Sequence, residues 1–286
     1  MLGRTERESA THARLAAELG GWDRPENRDE VSDLLDLGAM TATLATVSRI
    51  GDLSAVVHLG HPAQPDPDLE RNLLAGATSL CLTSAVAVPP RWTWVGRAPQ
   101  VDGRVVVDEA GMRDCRHALR AMGASPHLVP ARTPLADRLA IAGEHGSIVL
   151  EQDLVPPGYH ELPGSTRLRE RAPLWYGRVQ ATASTPAFDA AQVWLAFGPR
   201  DEFRGSLQES LGVIAAAGID LQHLQSQQAD GGPHVFFAAF RCASPVLATL
   251  LRDFDERGVA RRVLAVLPDD DAGLGPTAVT PQWSRP

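Results

Sequence analysis

Four hydroxyls and four guanidiniums are the groups in this sequence whose placement could support chemistry. The hydroxyls are Ser9, Ser48, Thr133 and Thr166; the guanidiniums belong to Arg7, Arg49, Arg132 and Arg167, all on predicted loops at strand–helix junctions. An arginine fork matches a carboxylate through two parallel hydrogen bonds, and a positioned hydroxyl can pass a proton. Junction loops of this kind border the ligand crevice of α/β sheets, where a helix N-terminus such as the one after Ser9 adds amide donors. Each residue also has a plainer reading, as a cap or turn hydroxyl or as solvated surface charge. His58 and His61 flank a predicted strand–loop junction and read either as proton shuttles or as polar residues beside Pro62. Their spacing would suit a metal on a helix, but no third ligand lies nearby, so no metal is implied. Trp92 and Trp94 alternate as strand residues do and read as packing, while His117 reads as surface or core within a helix. The run Asp269–Asp271 lacks the loop spacing of a calcium site.

Composition removes several classes of function. All 27 basic side chains are arginine, which excludes Schiff-base chemistry and a lysine-dependent phosphate loop. A net charge of -8 argues against nucleic-acid binding, which needs a basic surface. No glycine fingerprint follows a strand, so a nicotinamide dehydrogenase is disfavoured and no cofactor is implied. Cys81, Cys115 and Cys242 are far apart and odd in number, which reads as buried small apolar residues in a reducing compartment. No run approaches the roughly 18 apolar residues of a membrane span, and Met1–Gly20 has no apolar core before a cleavage site. A cytoplasmic location without membrane partners is expected.

The framework that must position these groups is an alternation of strands and helices. Residues 10–20 place apolar side chains at helical spacing up to Gly20–Gly21, and Asn27 and Asp29 precede a short helix ending at Gly38. The segment 41–47 alternates as a strand, 68–76 reads as helix and 79–88 as a buried strand closed by Pro89–Pro90. Strands over 101–108, 127–131, 147–152 and 174–181 alternate with helices over 111–123 and 134–143, which implies an α/β domain with largely parallel pairing. Residues 193–267 then read as strand, helix, strand, a hairpin turn at Gly231–Gly232, strand, helix, strand. That order is the ferredoxin-like β-α-β-β-α-β unit.

The unit 193–267 resembles the ACT regulatory domain carried by prephenate dehydratases, with Gly205-Ser206-Leu207 for the family's Gly-Ala-Leu loop and Gln225-Ser226-Gln227-Gln228 for its Glu-Ser-Arg-Pro strand. The opening LGRTERESATHARLA echoes the family's Leu-Gly-Pro-x-Gly-Thr-Phe-Ser, with Arg7 at the threonine and Glu8 at the phenylalanine. DCRHALRAMG and HLVPARTPLADRLA resemble a later helix, strand and turn of the same family. The resemblance implies a two-lobed catalytic domain, like a periplasmic binding protein, over residues 1–181: one lobe of about 1–78 plus 155–181, the other of about 79–154. A linker over 182–192, the ACT unit over 193–268 and a tail over 269–286 follow.

Two departures bear on the chemistry. The family's Pro-x-Glu-Asn-Ser follows its third strand; the most compact register here offers TVSRI (46–50) and Gly51, a later one HLGHP (58–62). The family's Thr-Arg-Phe before the last catalytic strand aligns with Arg171-Ala172-Pro173, while Thr166-Arg167 lies five residues early. Such losses resemble those of prephenate decarboxylases of the bacilysin type. The resemblance therefore implies a lyase acting on prephenate, with decarboxylation without aromatisation favoured over dehydration to phenylpyruvate. Thr166 and Ser9 are its candidate catalytic residues, and Arg7, Ser48, Arg49, Arg132, Thr133 and Arg167 its candidate contacts to a dicarboxylate. Gly205, Ser206, Leu207, Gln225 and Ser226 are the remains of an effector site, in which neutral amides would weaken recognition of an amino acid. ACT units of this kind imply a homodimer or homotetramer. The competing expectation is a non-catalytic protein that senses an amino acid or tunes a partner, since a start at Met1-Leu2-Gly3 leaves little room for a first strand.

Overall fold

The computed structural model describes residues 1–22, 34–98, 101–182, 187–199, 203–228 and 232–268. The chain forms two compact units, Met1–His58 with Val86–Val179 and Leu59–Ala85 with Gln180–Pro286. The first unit has two lobes. In one, β1 (Leu2–Arg4) pairs in parallel with both β2 (Leu35–Asp36) and β3 (Ser54–His61), with β11 (Leu174–Ala181) beside β3. The first strand is thus present, and its three residues suffice because it is flanked on both sides. Helix α1 (Ala10–Leu19) starts at Ser9, whose hydroxyl accepts the His12 backbone N–H. Ala13, Ala16 and Ala17 fall on one face of it and pack against Val56, Val88 and Tyr176.

The second lobe is a five-stranded sheet in the order β10-β6-β9-β7-β8, formed by β6 (Trp92–Gly96), β7 (Arg104–Asp108), β8 (Ser125–Val129), β9 (Ser147–Glu151) and β10 (His160–Glu161). Alternate side chains enter two cores. Val105, Val107 and Val149 join Trp92 and Trp94 beneath α4 (Glu109–Ala121) and α6 (Thr166–Arg169), and Val106, Ile148 and Leu150 meet α5 (Leu135–Ala142) on the other face. This period-two split explains the continuous valine and leucine runs, since both faces are covered. Both tryptophans are core residues, as their alternation implied.

Four expectations are corrected. Residues 41–47 are helical, within α2 (Met40–Arg49): Thr43, Leu44 and Val47 form one buried helix face, and β-branched threonines made the segment resemble a strand. Residues 155–173 belong with the second lobe, since β10 pairs with β6 and Leu168 of α6 enters the same core as Trp94. Residues 80–88 form β5 (Leu80–Val88) and are absent from the second lobe's sheet, because Leu82 pairs with Ala265. The helix read after Asn27 and Asp29 is not formed over residues 34–38, where Leu35 and Asp36 pair with β1 as β2. Its earlier residues up to 33, Gly231 of the hairpin turn, 183–186 of the linker and the whole tail from 269 lie outside the described residues.

The second unit contains β12 (Ala191–Pro199), α7 (Ser206–Ala216), β13 (Leu221–Gln228), β14 (His234–Cys242), α8 (Ser244–Glu256) and β15 (Val259–Pro268), with sheet order β13-β14-β12-β15. All three of these pairings are antiparallel, which is the ferredoxin-like arrangement. Val193, Leu195 and Phe197 point to the helix-covered face with Phe240 and Phe254. Their neighbour Trp194 points the other way, where its indole N–H donates to the Pro62 carbonyl at 2.6 Å. On that side lie β4 (Gln64–Pro65) and α3 (Pro67–Ala75), tied to the sheet by the Gln227 amide, which donates to Glu70 Oε1 at 3.0 Å. Glu70 is fully buried, and burial pushes its carboxyl up to about 7 against the opposing hydrogen bond from Gln227. A carboxyl raised in the fold favours the folded state in acid and loses that contribution as pH rises through about 7. Glu70→Gln is therefore expected to raise Tm relative to the parent by an amount that grows between pH 5 and pH 8. A Tm difference independent of pH in differential scanning calorimetry would contradict this.

Candidate active site at the seam between the lobes

The loop between β1 and α1 makes four consecutive contacts to the second lobe. Glu6 Oε2 lies 3.1 Å from Arg132 Nε, Arg7 Nε 3.5 Å from Glu109 Oε2, and Glu8 Oε2 2.9 Å from Arg113 Nη1. Ser9 Oγ then donates to Glu151 Oε1 at 2.7 Å. The loop leaves the carboxyl end of a parallel strand, and its partners follow the carboxyl ends of β7, β8 and β9, where ligand crevices form. The two outer pairs are open: the side chains of Arg7 and Arg132 are 64% and 60% exposed. Arg132 also reaches Asp36 at 3.0 Å.

The inner pairs are buried. Glu8 is 3% and Asp114 2% exposed, with Arg113 between them at 2.9 Å and 2.8 Å. Trp92 Nε1 donates to Asp114 at 3.0 Å, and the His58 backbone N–H donates to Glu8 at 3.1 Å. Burial alone would raise the Asp114 carboxyl; the Arg113 guanidinium outweighs it and holds the group below the usual range. His58 Nε2 lies 4.0 Å from Asp114, and its ring meets Tyr176 edge-on at 5.5 Å. Burial, helped by Arg113, takes this imidazole down to about 3, so it is neutral at physiological pH.

Hydrogen bonds around Ser9 fix their own direction. His12 Nε2 accepts the Arg91 backbone N–H at 2.9 Å, so the ring proton is on Nδ1. Nδ1 then donates to Ser9 Oγ at 2.8 Å, and the Ser9 hydroxyl proton goes to Glu151. Burial lowers His12 to about 4, in keeping with a neutral ring. Burial also raises the Glu151 carboxyl, against the opposing Ser9 hydrogen bond, and Glu151 Oε2 is buried with no hydrogen-bond partner. The seam thus holds a buried carboxyl whose proton affinity is raised by burial, oriented through one oxygen.

No family model matches this sequence, and no curated protein matches it either. Solved structures do. The prephenate dehydratase of Staphylococcus aureus superposes with a TM-score of 0.64 at 10% identity, covering 93% of this chain and 100% of that one. That of Arthrobacter aurescens, solved in complex with L-Phe, gives 0.67 at 17% identity over 97% and 93% of the two chains. The fold is that of the solved prephenate dehydratases. A structure described as GqqA, a novel type of quorum quenching acylase, shares it with a TM-score of 0.65 at 16% identity, over 95% of this chain and 99% of that one.

Within this dehydratase fold, the sequence-derived residues separate into two groups. Ser9, Arg7 and Arg132 come together at the seam, with Thr133 half-buried beside Arg132, its N–H bonded to Pro130 O. Ser48 and Arg49 do not. They end α2 five or more residues before Ser54, which pairs with Leu2 at the amino ends of β3 and β1, away from the seam at the carboxyl ends, and the Ser48 hydroxyl bonds back to Ala45 O. The third strand is β3, so HLGHP is the register at its carboxyl end, and TVSRI is excluded as the counterpart of Pro-x-Glu-Asn-Ser. Thr166 and Arg167 are exposed on the single turn of α6. Their neighbour Ser165 is the buried hydroxyl, accepting the Trp94 N–H at 2.9 Å and sharing a hydrogen bond with Thr93 at 2.7 Å.

In the second unit, Gly205 takes a left-handed conformation before α7, and Leu207 packs toward the core. Ser206 lines a cleft of about 380 Å³ with Phe203, Glu209 and Arg257. Gln225 and Ser226 are on β13 and do not line that cleft. Sequence reasoning missed Glu8 as a partner for Arg113, and missed His12, Asp114 and Glu151 altogether. One signal was available: a carboxylate at the family's phenylalanine position requires a buried cation. No helix among the described residues is long and apolar enough to cross a membrane.

Proposed function

We propose that this chain is a lyase acting on prephenate and that it releases carbon dioxide without forming an aromatic ring. The observation that carries this reading is the loop Glu6–Ser9, which gathers one open guanidinium from each lobe, Arg7 and Arg132, and ties to a buried carboxyl at Glu151 whose hold on a proton is strengthened by burial. Exposed ion pairs contribute only about 0–1 kcal/mol, so substrate carboxylates can replace Glu109 at Arg7 and Glu6 at Arg132 at little cost. The likeness to solved dehydratases over more than nine-tenths of both chains supports a prephenate-like substrate. In the reaction the bond from the ring to its carboxylate breaks, carbon dioxide leaves, and the electron pair passes through the ring to a carbon that takes a proton from Glu151. Solvent then restores that proton. Ser9 orients Glu151. The ring hydroxyl is retained, because Thr166 is exposed and Arg171-Ala172-Pro173 offers no hydroxyl ahead of β11.

With prephenate, the purified protein is expected to release carbon dioxide and yield a non-aromatic product. Glu151→Gln should lower kcat by about 10²–10⁴ with the fold retained. Appearance of phenylpyruvate would instead identify the reaction as dehydration. A non-catalytic sensor is the second reading, favoured by the carboxylate partners that Arg7, Arg113 and Arg132 already have. Thermal stabilisation by prephenate with no carbon dioxide released would select it. Acyl transfer through Ser9 is disfavoured, since His12 Nδ1 carries a proton and cannot accept the serine's.

A further inference from the structure

We propose that the second unit carries a small-molecule site of its own, for an aromatic or branched carboxylic acid that lacks an amino group. The site is a cleft of about 240 Å³ on the sheet face opposite α7 and α8. Leu74 at the end of α3, Ala196 and Gly198 of β12, Val235 of β14 and Arg262 of β15 line it. An apolar cavity of roughly 150 Å³ accepts benzene, so this one has room for a ring and a short acid chain. Its walls are apolar apart from His234 and the two arginines at positions 261 and 262.

Arg261 is neutralised by Asp255, which it meets through both Nε and Nη2. Arg262 is not neutralised in this way. Among the described residues its guanidinium donates only to the carbonyls of Leu74, Gly76 and Ala77, and its buried Nε has no hydrogen-bond partner. Among the described residues no carboxylate lies within ion-pair distance of it. The carbonyl dipoles at the end of α3 orient the cation without cancelling its charge. A ligand carboxylate would supply the missing anion while its apolar body covered Leu74 and Val235. Among the described residues no acidic side chain lines the cleft, so an ammonium group would enter unpaired, at a desolvation cost. The cleft shares no lining residue with Gly205–Leu207, Gln225 or Ser226, and it belongs to the other unit from the seam. The inference therefore stands or falls apart from the prephenate reading.

Isothermal titration of the full chain with 3-phenylpropionate, its alcohol analogue 3-phenylpropanol and phenylalanine provides the test. The acid is expected to bind, with the alcohol and phenylalanine about tenfold or more weaker, as loss of a charge-assisted hydrogen bond implies. Ala196→Leu fills the cleft and leaves Arg262 in place, and it should reduce binding of the acid by at least about tenfold. Arg262→Gln should bring the acid and the alcohol to similar affinity. The proposal is overturned if the alcohol or phenylalanine binds the parent as well as the acid does. It is equally overturned if Ala196→Leu leaves binding unchanged, or if the acid does not bind at millimolar concentration.

Discussion

Arg113→Met is expected to destabilise the first unit by about 3–5 kcal/mol, the largest effect of any single substitution at the seam. The guanidinium lies between Glu8 and Asp114, each almost fully buried, and their carboxylates rely on it for countercharge. Removing the cation leaves two negative charges in a low-dielectric setting, with Trp92 Nε1 and the His58 N–H still donating to them. The cost is that of uncompensated buried charge, well beyond the loss of one hydrogen bond. Adding Glu8→Gln to Arg113→Met removes one of those charges and should recover a substantial part of the loss. Urea unfolding of the single and double variants measures both steps. If the double variant is less stable than Arg113→Met, the charge account is wrong and Arg113 acts through packing.

The second large effect is acid lability. His58 and His12 are held neutral, at about 3 and about 4, against an ordinary value of 6.5. Below pH 6.5 the unfolded chain takes up protons at these positions while the folded chain does not, so stability falls as pH drops toward the folded values. Each pH unit costs about 1.4 kcal/mol per histidine, so from pH 6.5 to 4.5 each contributes a loss of up to about 2–3 kcal/mol. Glu151 works the other way: its raised carboxyl favours the fold in acid and gives up that contribution as pH rises above 4.5. The two histidines act together against this single carboxyl, and replacing His58 isolates its part of the decline. His58→Asn should therefore flatten the decline in unfolding free energy between pH 7 and pH 4.5 by a few kcal/mol. A parallel decline in parent and variant would show that another group is responsible.

The proposed catalysis and its sensing alternative both turn on the same short loop, to which sequence and structure contribute differently. LGRTERES puts Arg7 and Ser9 just ahead of α1 because a capping serine and an alanine-rich helix are local features. The ferredoxin-like unit is legible for a similar reason. Val193, Leu195 and Phe197 alternate within one strand, and Gly218 and Gly258, with φ of 71° and 68°, stop α7 and α8 where a side chain would be strained. Segment 41–47 misleads because threonines next to alanines satisfy a two-residue and a 3.6-residue period alike, and only the burial of Thr43, Leu44 and Val47 on one face resolves them.

What the sequence by itself determined was therefore the fold class, most elements and two of the seam's arginines. Tertiary structure alone decided which charges meet. Glu8 and Arg113 are 105 residues apart and Ser9 and Glu151 are 142 apart, so no local period links them. Their encounter depends on parallel strand ends from two sheets arriving at one seam. The same topology sends Ser48 and Arg49 toward the amino end of β3 and leaves Thr166 exposed. Side-chain type sets what a group can do, but burial and neighbours set its charge, and both exist only once the chain has closed on itself.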